Sequence, residues 1–241
     1  MCGRFVVARA TADLVPLFEV EHVADDLPRT SYNIAPTNPV SVVMESAKQG
    51  KEGRRLVSAR WGLVPPFKKS LTDRPTPHNA TVEKVQSSGM FRNAFKKRRV
   101  IIPASGFYER RKSDQQGFYV HPVDESEMLA FAGLCEWWQD QSKSEDDLSR
   151  WVLSTTIITQ PAQGQMVEVH SREPLYLSSQ MYKDWLDPHS PGSEDLINEV
   201  RESSSAVASD LSFRPIGPGW LSSHKDSKQD NPSLITEVTP D

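Results

Sequence analysis

The hydrophobic pattern consists mostly of short apolar runs broken by turn residues. β-branched and aromatic clusters predict strands over residues 4–8, 40–44, 56–61, 100–103, 117–120, 128–136, 151–159 and 211–216. The 117–120 and 128–136 segments are expected to be antiparallel strands. Helical spacing predicts a helix over 12–19, capped by Thr11 and limited by Pro16, with further helices over part of 82–97, over 179–186 and over 194–202. Polar or proline-containing stretches at 21–39, 48–53, 68–78 and 139–147 read as loops, and 222–233 as a mobile one. No fixed-period repeat occurs, and strands do not alternate regularly with helices, which argues against a parallel sheet. The fold class expected is α+β: one domain over residues 2–238, with an antiparallel sheet curled toward a barrel and helices at its periphery.

Composition narrows this picture. In 241 residues, 37% are hydrophobic and 25% charged, enough for a sizeable globular core. Eighteen prolines against twelve glycines point to stiff, irregular connections. Cys2 and Cys135 are the only cysteines, too few for a disulfide framework or a zinc site, and they fit a reducing compartment. The first twenty residues hold no apolar run of signal or membrane-span length, so a cytoplasmic location is expected, or a nuclear one in a eukaryotic cell. A net charge of −4 disfavours nucleic-acid binding over the whole surface but leaves room for a local basic stripe.

The candidate chemistry begins at Met1-Cys2-Gly3-Arg4. A small second residue favours removal of the initiator methionine, which would leave Cys2 with a free α-amine beside its thiol. An aldehyde attacked by the amine gives an imine, and the neighbouring thiol can then close a thiazolidine. The plainer reading is a frayed terminus. Between Arg92 and Lys112 lie eight cationic side chains, interleaved with Phe91, Phe95, Phe107 and Tyr108. That run fits single-stranded nucleic acid, with cations on phosphates and rings on bases, and equally fits a solvated helix followed by a core strand. Glu109 ends the apolar segment 100–108, where a carboxylate can act as general acid or base or simply pair with Arg110 or Arg111. His170 is a candidate proton carrier near neutral pH, or a structural histidine. Asn33 and Asn79, in proline-flanked loops, can fix a substrate or cap turns. No ligand spacing for a metal, no glycine-rich phosphate loop and no Gly-x-Ser-x-Gly elbow is present, so neither metal nor cofactor is expected.

Several blocks, taken together, resemble the SOS response-associated peptidase (SRAP) family. They are Met1–Phe5, Tyr32-Asn33-Ile34-Ala35-Pro36-Thr37, Arg60-Trp61-Gly62-Leu63-Val64-Pro65, Met90-Phe91-Arg92, the run from Arg99 to Glu109, Phe131-Ala132-Gly133-Leu134, Thr155–Thr159 and His170-Ser171-Arg172-Glu173-Pro174. They occur in family order, and the polar stretch through Pro232–Ile235 is also similar. The resemblance implies a sensor of abasic sites in single-stranded DNA that shields the lesion in the DNA damage response by a covalent thiazolidine crosslink. Cys2 would be the nucleophile after loss of Met1, Glu109 the acid/base, His170 a proton carrier and Asn79 the active-site asparagine. Arg4, Asn33, Pro36, Trp61, Arg92 and Arg172 would contact DNA. It also implies autopeptidase removal of Met1, a weak DNA lyase activity through the imine, work near the replication machinery, a monomer, and no membrane partner.

Departures from the family pattern fall next to these positions. Thr81 replaces an expected arginine, Arg110 an expected tryptophan, and Ser171 and Glu173 replace Asp and Met of the usual His-Asp-Arg-Met-Pro. None removes a reacting group, and all bear on DNA affinity. Two other readings stay open: a cysteine-dependent peptidase acting on proteins, and a non-catalytic reader of modified bases.

Overall fold

The computed structural model describes residues 2–46, 52–71, 73, 76–221 and 230–238. In chain order the strands are β1 (Arg4–Val7), β2 (His22–Val23), β3 (Ser31–Ile34), β4 (Pro39–Ser46), β5 (Gly53–Trp61), β6 (Asn79–Thr81), β7 (Arg99–Ala104), β8 (Gly106–Arg110), β9 (Gly117–Pro122), β10 (Leu129–Gln139), β11 (Trp151–Pro161), β12 (Arg172–Pro174) and β13 (Leu211–Ile216). The helices are α1 (Thr11–Leu17), α2 (Arg92–Lys97), α3 (Met166–Val169), α4 (Tyr182–Leu186) and α5 (Glu194–Ser209).

The strands form two sheets. One runs β13-β9-β8-β1-β3, and the other β12-β11-β10-β7-β4-β5-β2. In the second sheet β11 also pairs with β5, so β11, β10, β7, β4 and β5 close a ring. The α+β class and the barrel-like curl are as expected. The pairing is not wholly antiparallel: β11 runs parallel to β5 and to β6, and β2 runs parallel to β5. Closing a ring joins strands distant in sequence, and strand-length patterning carries no signal for that. The segments expected at 117–120 and 128–136 are antiparallel strands, but in different sheets. β9 pairs with β8 and β13, and β10 with β7 and β11.

Alternation along β10 shows how the layers stack. Ala130, Ala132 and Leu134 join an apolar cluster with α1, α2, α4 and α5, whereas Phe131 and Cys135 join a second cluster between the two sheets. β7 is apolar on both faces because both are covered: Ile101 faces the helices, while Val100, Ile102 and Ala104 face the five-stranded sheet. A third, smaller cluster forms where Tyr108 and Tyr119 meet Trp220 and Leu234. Helix α1 starts one residue earlier than the pattern predicts, with Pro16 inside it and no side-chain cap from Ala10. Within the stretch 82–97 only Arg92–Lys97 is helical. Most of the turn expected at 48–53, and residues 222–229 of the loop expected to be mobile, lie outside the described residues. Beyond them Pro232–Ile235 forms a 3-10 turn capped by the Asn231 carboxamide, which accepts from Ser233 N at 3.0 Å.

Candidate active site

Cys2 lies two residues before β1 and is fully buried rather than at a loose terminus. β1 is flanked by β8 and β3, with Arg4 opposite Tyr108 and Phe5 opposite Phe107. This antiparallel register runs the chain ahead of Arg4 back alongside Glu109. Glu109 shares the inward face of β8 with Phe107, two residues before it, and both are buried. Gly106 opens that strand because no side chain fits there: a Cβ would lie 2.6 Å from the Tyr119 ring and from the Val120 carbonyl.

Cys2 is fully buried in the cluster between the sheets, and its thiol donates to the Arg4 carbonyl at 3.8 Å. Burial pushes the thiol well above the ordinary cysteine range, and the Glu109 carboxylate adds to that shift. The sulfur is therefore a protonated thiol at neutral pH. Asn79 reaches Cys2 from β6, whose parallel pairing sets Asn79 against Ile157 of β11. Its Nδ2 donates to the Cys2 carbonyl at 2.8 Å, and its buried Oδ1 has no hydrogen-bond partner among the described residues.

His170 follows α3 directly. The Arg172 amide lies 3.0 Å from His170 Nδ1 and the Arg172 carbonyl 3.2 Å from the same nitrogen, so the backbone of Arg172 fixes the orientation of the ring. Burial lowers the His170 pKa, and the Glu109 carboxylate opposes that lowering. Cys2, Glu109, His170 and Asn79, from four separate stretches of chain, thus form one group.

The expected DNA contacts divide differently. Arg4 is half-buried and donates to Asn33 Oδ1 at 2.7 Å, so these two act as one unit at the edge of the site. Pro36 is partly exposed in the turn after β3. Arg172 makes a two-pronged ion pair with Glu83, at 2.9 and 3.1 Å, and donates to the Thr159 carbonyl at 2.6 Å. That hydrogen bonding pulls the Glu83 carboxyl down to about 2.

Two expectations need correction. Trp61 has no exposed surface with which to stack on a base; its ring packs edge-on against Phe5 at 5.0 Å, and its Nε1 donates to the His78 carbonyl at 2.9 Å. The turn behind it depends on Gly62, at φ +129°, a conformation side chains rarely adopt. The basic aromatic stripe also comes apart. Phe91, Phe95, Phe107 and Tyr108 are all buried. Arg99 is buried too, its guanidinium donating to the carbonyls of Phe95, Lys96, Trp185, Asp187 and Ser190. Arg98 pairs with Glu136 and Arg111 with Asp114. Arg92 is exposed, but on α2, whose buried residues belong to the helix-side cluster rather than to that of Cys2.

Sequence reading missed Glu83, which pairs with Arg172, and Tyr176, a fully buried tyrosine in the same apolar cluster as Cys2. The alternation Leu175-Tyr176-Leu177 after Pro174 held a signal for burial but none for proximity to Cys2.

Cys2, sealed in a core beside a carboxylate, an imidazole and a carboxamide, marks the candidate site of an α+β protein. The chain matches the profile of the SOS response associated peptidase (SRAP) family over residues 1–218, and it belongs to that family. It is 29% identical to the abasic site processing protein YoqW of Bacillus subtilis over 191 residues, 78% of this chain and 81% of that one. It is 27% identical to the abasic site processing protein YedK of Escherichia coli over 223 residues, 90% and 92% of the two chains. A crystal structure of a Bacteroides thetaiotaomicron protein superposes with a TM-score of 0.78 over 99% of this chain and 100% of the other, at 18% identity.

Proposed function

We propose that this protein captures abasic sites in single-stranded DNA as a covalent thiazolidine crosslink through Cys2. The observation that carries the reading is the burial of Cys2 against Asn79 and beside Glu109, whose carboxylate also interacts with His170. The names of the relatives, abasic site processing proteins, supply the substrate class.

Removal of Met1 frees the Cys2 amine. The amine adds to the C1′ aldehyde of the ring-opened sugar, and loss of water gives an imine. The Cys2 S–H then adds across C=N, sulfur to carbon and proton to nitrogen, closing the five-membered ring. Glu109 donates a proton to the departing hydroxyl. His170, whose pKa burial lowers, exchanges protons with Glu109. A protonated thiol does not compete for the aldehyde first, so the order amine then sulfur follows from the burial of Cys2. Asn79 holds the Cys2 carbonyl and presents Oδ1 to the substrate. Autopeptidase removal of Met1 and strand cleavage through the imine are further activities of the same group.

The test is incubation with single-stranded DNA carrying one abasic site. Wild type gives a heat-stable crosslink and a mature mass lacking Met1, Cys2→Ser gives none, and Glu109→Gln crosslinks slowly while remaining folded. Wild type that forms no crosslink at neutral pH, or that instead turns over peptide substrates repeatedly, overturns the proposal.

A further inference from the structure

The ring of strands is not sealed along its whole height. β5 and β11 run parallel and pair only at Arg60 with Ser154 and at Trp61 with Thr155. Ahead of those pairs the two strands part. On the edge away from β4, β2 meets β5 only at Arg55 and Leu56, so among the described residues no strand pairs with residues 57–59 there. The facing edge of β11 is open at residues 151–153, whose other side pairs with β10. Thr155 turns its carbonyl to that edge, where it accepts from Gly62 N at 2.8 Å. Backbone direction alternates along a strand, so Leu153 and Trp151 turn their amides and carbonyls the same way, and no strand among the described residues meets them. A groove of about 600 Å³ lies in this gap, with Ser58 and Ala59 on one wall and Val152 and Leu153 on the other.

Three large apolar side chains stand exposed along the groove, Trp137 (43%), Trp151 (47%) and Leu148 (87%). Trp137 pairs with Leu153 and Gln139 with Trp151, so the two indoles are diagonal neighbours on one face of the β10–β11 pair. Clustered exposed aromatics of this kind mark binding surfaces. Asp26 lines the groove, Asp25 precedes it, and Glu145 and Asp146 lie on the β10–β11 connection. All four acids are exposed, and none forms an ion pair among the described residues. The neighbouring cations are committed to the protein itself. Arg60 donates to the Gly62 carbonyl at 3.0 Å, Lys143 donates to Ser149 Oγ at 2.7 Å, and the Arg150 guanidinium lies over the Trp151 ring at 5.8 Å.

We infer that this groove docks an extended, lysine- or arginine-bearing segment of a partner protein, which adds a strand to the open edge of β11. The backbone of the segment bonds to the amides and carbonyls of Trp151 and Leu153. Its apolar side chains pack on Trp137, Trp151 and Leu148, and its cations meet the four free acids. Charge selects this occupant. A nucleic acid would bring its phosphates against those acids. A second copy in a two-fold dimer would set the same acids against one another.

The probe is a labelled, end-blocked octapeptide alternating lysine with valine, titrated by fluorescence anisotropy. It should bind saturably, and its counterpart alternating glutamate with valine should not. Trp151→Ser, and separately the double change Glu145→Lys with Asp146→Lys, should each weaken binding at least about tenfold. Thermal melting checks that the variants are folded; if Trp151→Ser is not, the double change on the exposed connection decides. Hydrogen exchange resolved by NMR should show the Trp151 and Leu153 amides slowed by the peptide, with Val152, already turned to β10, unchanged. No saturable binding up to millimolar peptide, equal binding of the glutamate peptide, or wild-type affinity in the folded variants overturns the inference. Unslowed exchange at Leu153 with the peptide bound does so too. Displacement of the peptide by single-stranded oligothymidine would make nucleic acid the occupant. A dimer that Trp151→Ser dissolves, seen by sedimentation, would make it a second copy, and either result overturns the inference.

Discussion

Asn79 donates its Nδ2 proton to the carbonyl of Cys2 at 2.8 Å, so a residue on a three-residue strand fixes the backbone of the residue expected to react. The bond spans 77 positions in sequence. It exists because β6 pairs in parallel with β11, which places Asn79 beside Ile157 in the cluster that surrounds the thiol. Cys2 is thus held from two directions, by its own strand and by a carboxamide from across the barrel.

Asn79→Ala removes that restraint together with the free Oδ1. Losing one hydrogen bond at a partly buried site should lower stability by about 1 kcal/mol. Misplacing the amine relative to the aldehyde should slow crosslinking roughly a hundredfold. A time course on abasic single-stranded DNA, with a thermal melt alongside, reads both. A rate loss no larger than the stability change predicts would reduce Asn79 to a structural residue.

Trp61 offers a contrast. As a core side chain it should behave like other buried aromatics, with Trp61→Ala costing about 3–5 kcal/mol and Trp61→Phe less. Once corrected for the folded fraction, affinity for single-stranded DNA should be the same in Trp61→Phe as in wild type. Fluorescence anisotropy decides this: weaker binding by a fully folded Trp61→Phe would mean that the tryptophan emerges to meet DNA.

These residues show what the sequence made legible. The strand at 211–216 and the apolar run into Glu109 were readable because alternation and length mark a strand wherever one face is buried. β3, β6 and β12 were not: they are three or four residues long, polar, and held by partners far away in sequence. The grouping of Cys2, Asn79, Glu109 and His170 came from the family resemblance, since no local pattern links positions 2, 79, 109 and 170. Charge was the poorest guide. Arg98, Arg99 and Arg111 looked like a continuous stripe, yet one caps backbone carbonyls in the core and two are paired with acids. Tyr176 and Glu173 could not be placed, because their neighbours Gln160 and Ser204 come from a strand and a helix that no local pattern links to them.

Arg172 tests the electrostatics of the DNA edge. Its guanidinium is committed to Glu83, which is about half exposed, so a phosphate must displace a carboxylate to reach it. Glu83→Gln should release the arginine and tighten binding to single-stranded DNA several-fold at low salt. The slope of log affinity against log salt should steepen by about 0.7, the value for one added phosphate contact on a single strand. Binding titrations at several salt concentrations measure it. An unchanged slope would show that Arg172 serves to hold His170 rather than to bind DNA.

Glu173 makes a prediction about stability that does not depend on DNA. Its carboxyl is raised from the ordinary glutamate range to about 7, because burial penalises the charged form. Between those two values the native state binds more protons than the unfolded state, so wild type loses stability as pH rises from about 4.5 to 7. Above that window the loss is complete and constant. The shift corresponds to roughly 3 kcal/mol. Glu173→Gln has no charge to bury and lacks this loss. The variant should therefore melt at about the wild-type temperature at pH 4 and at a higher temperature at pH 8, with the gap opening across the window. Parallel thermal melts at half-unit intervals of pH resolve it. A gap that is constant with pH would mean that Glu173 keeps the same charge throughout.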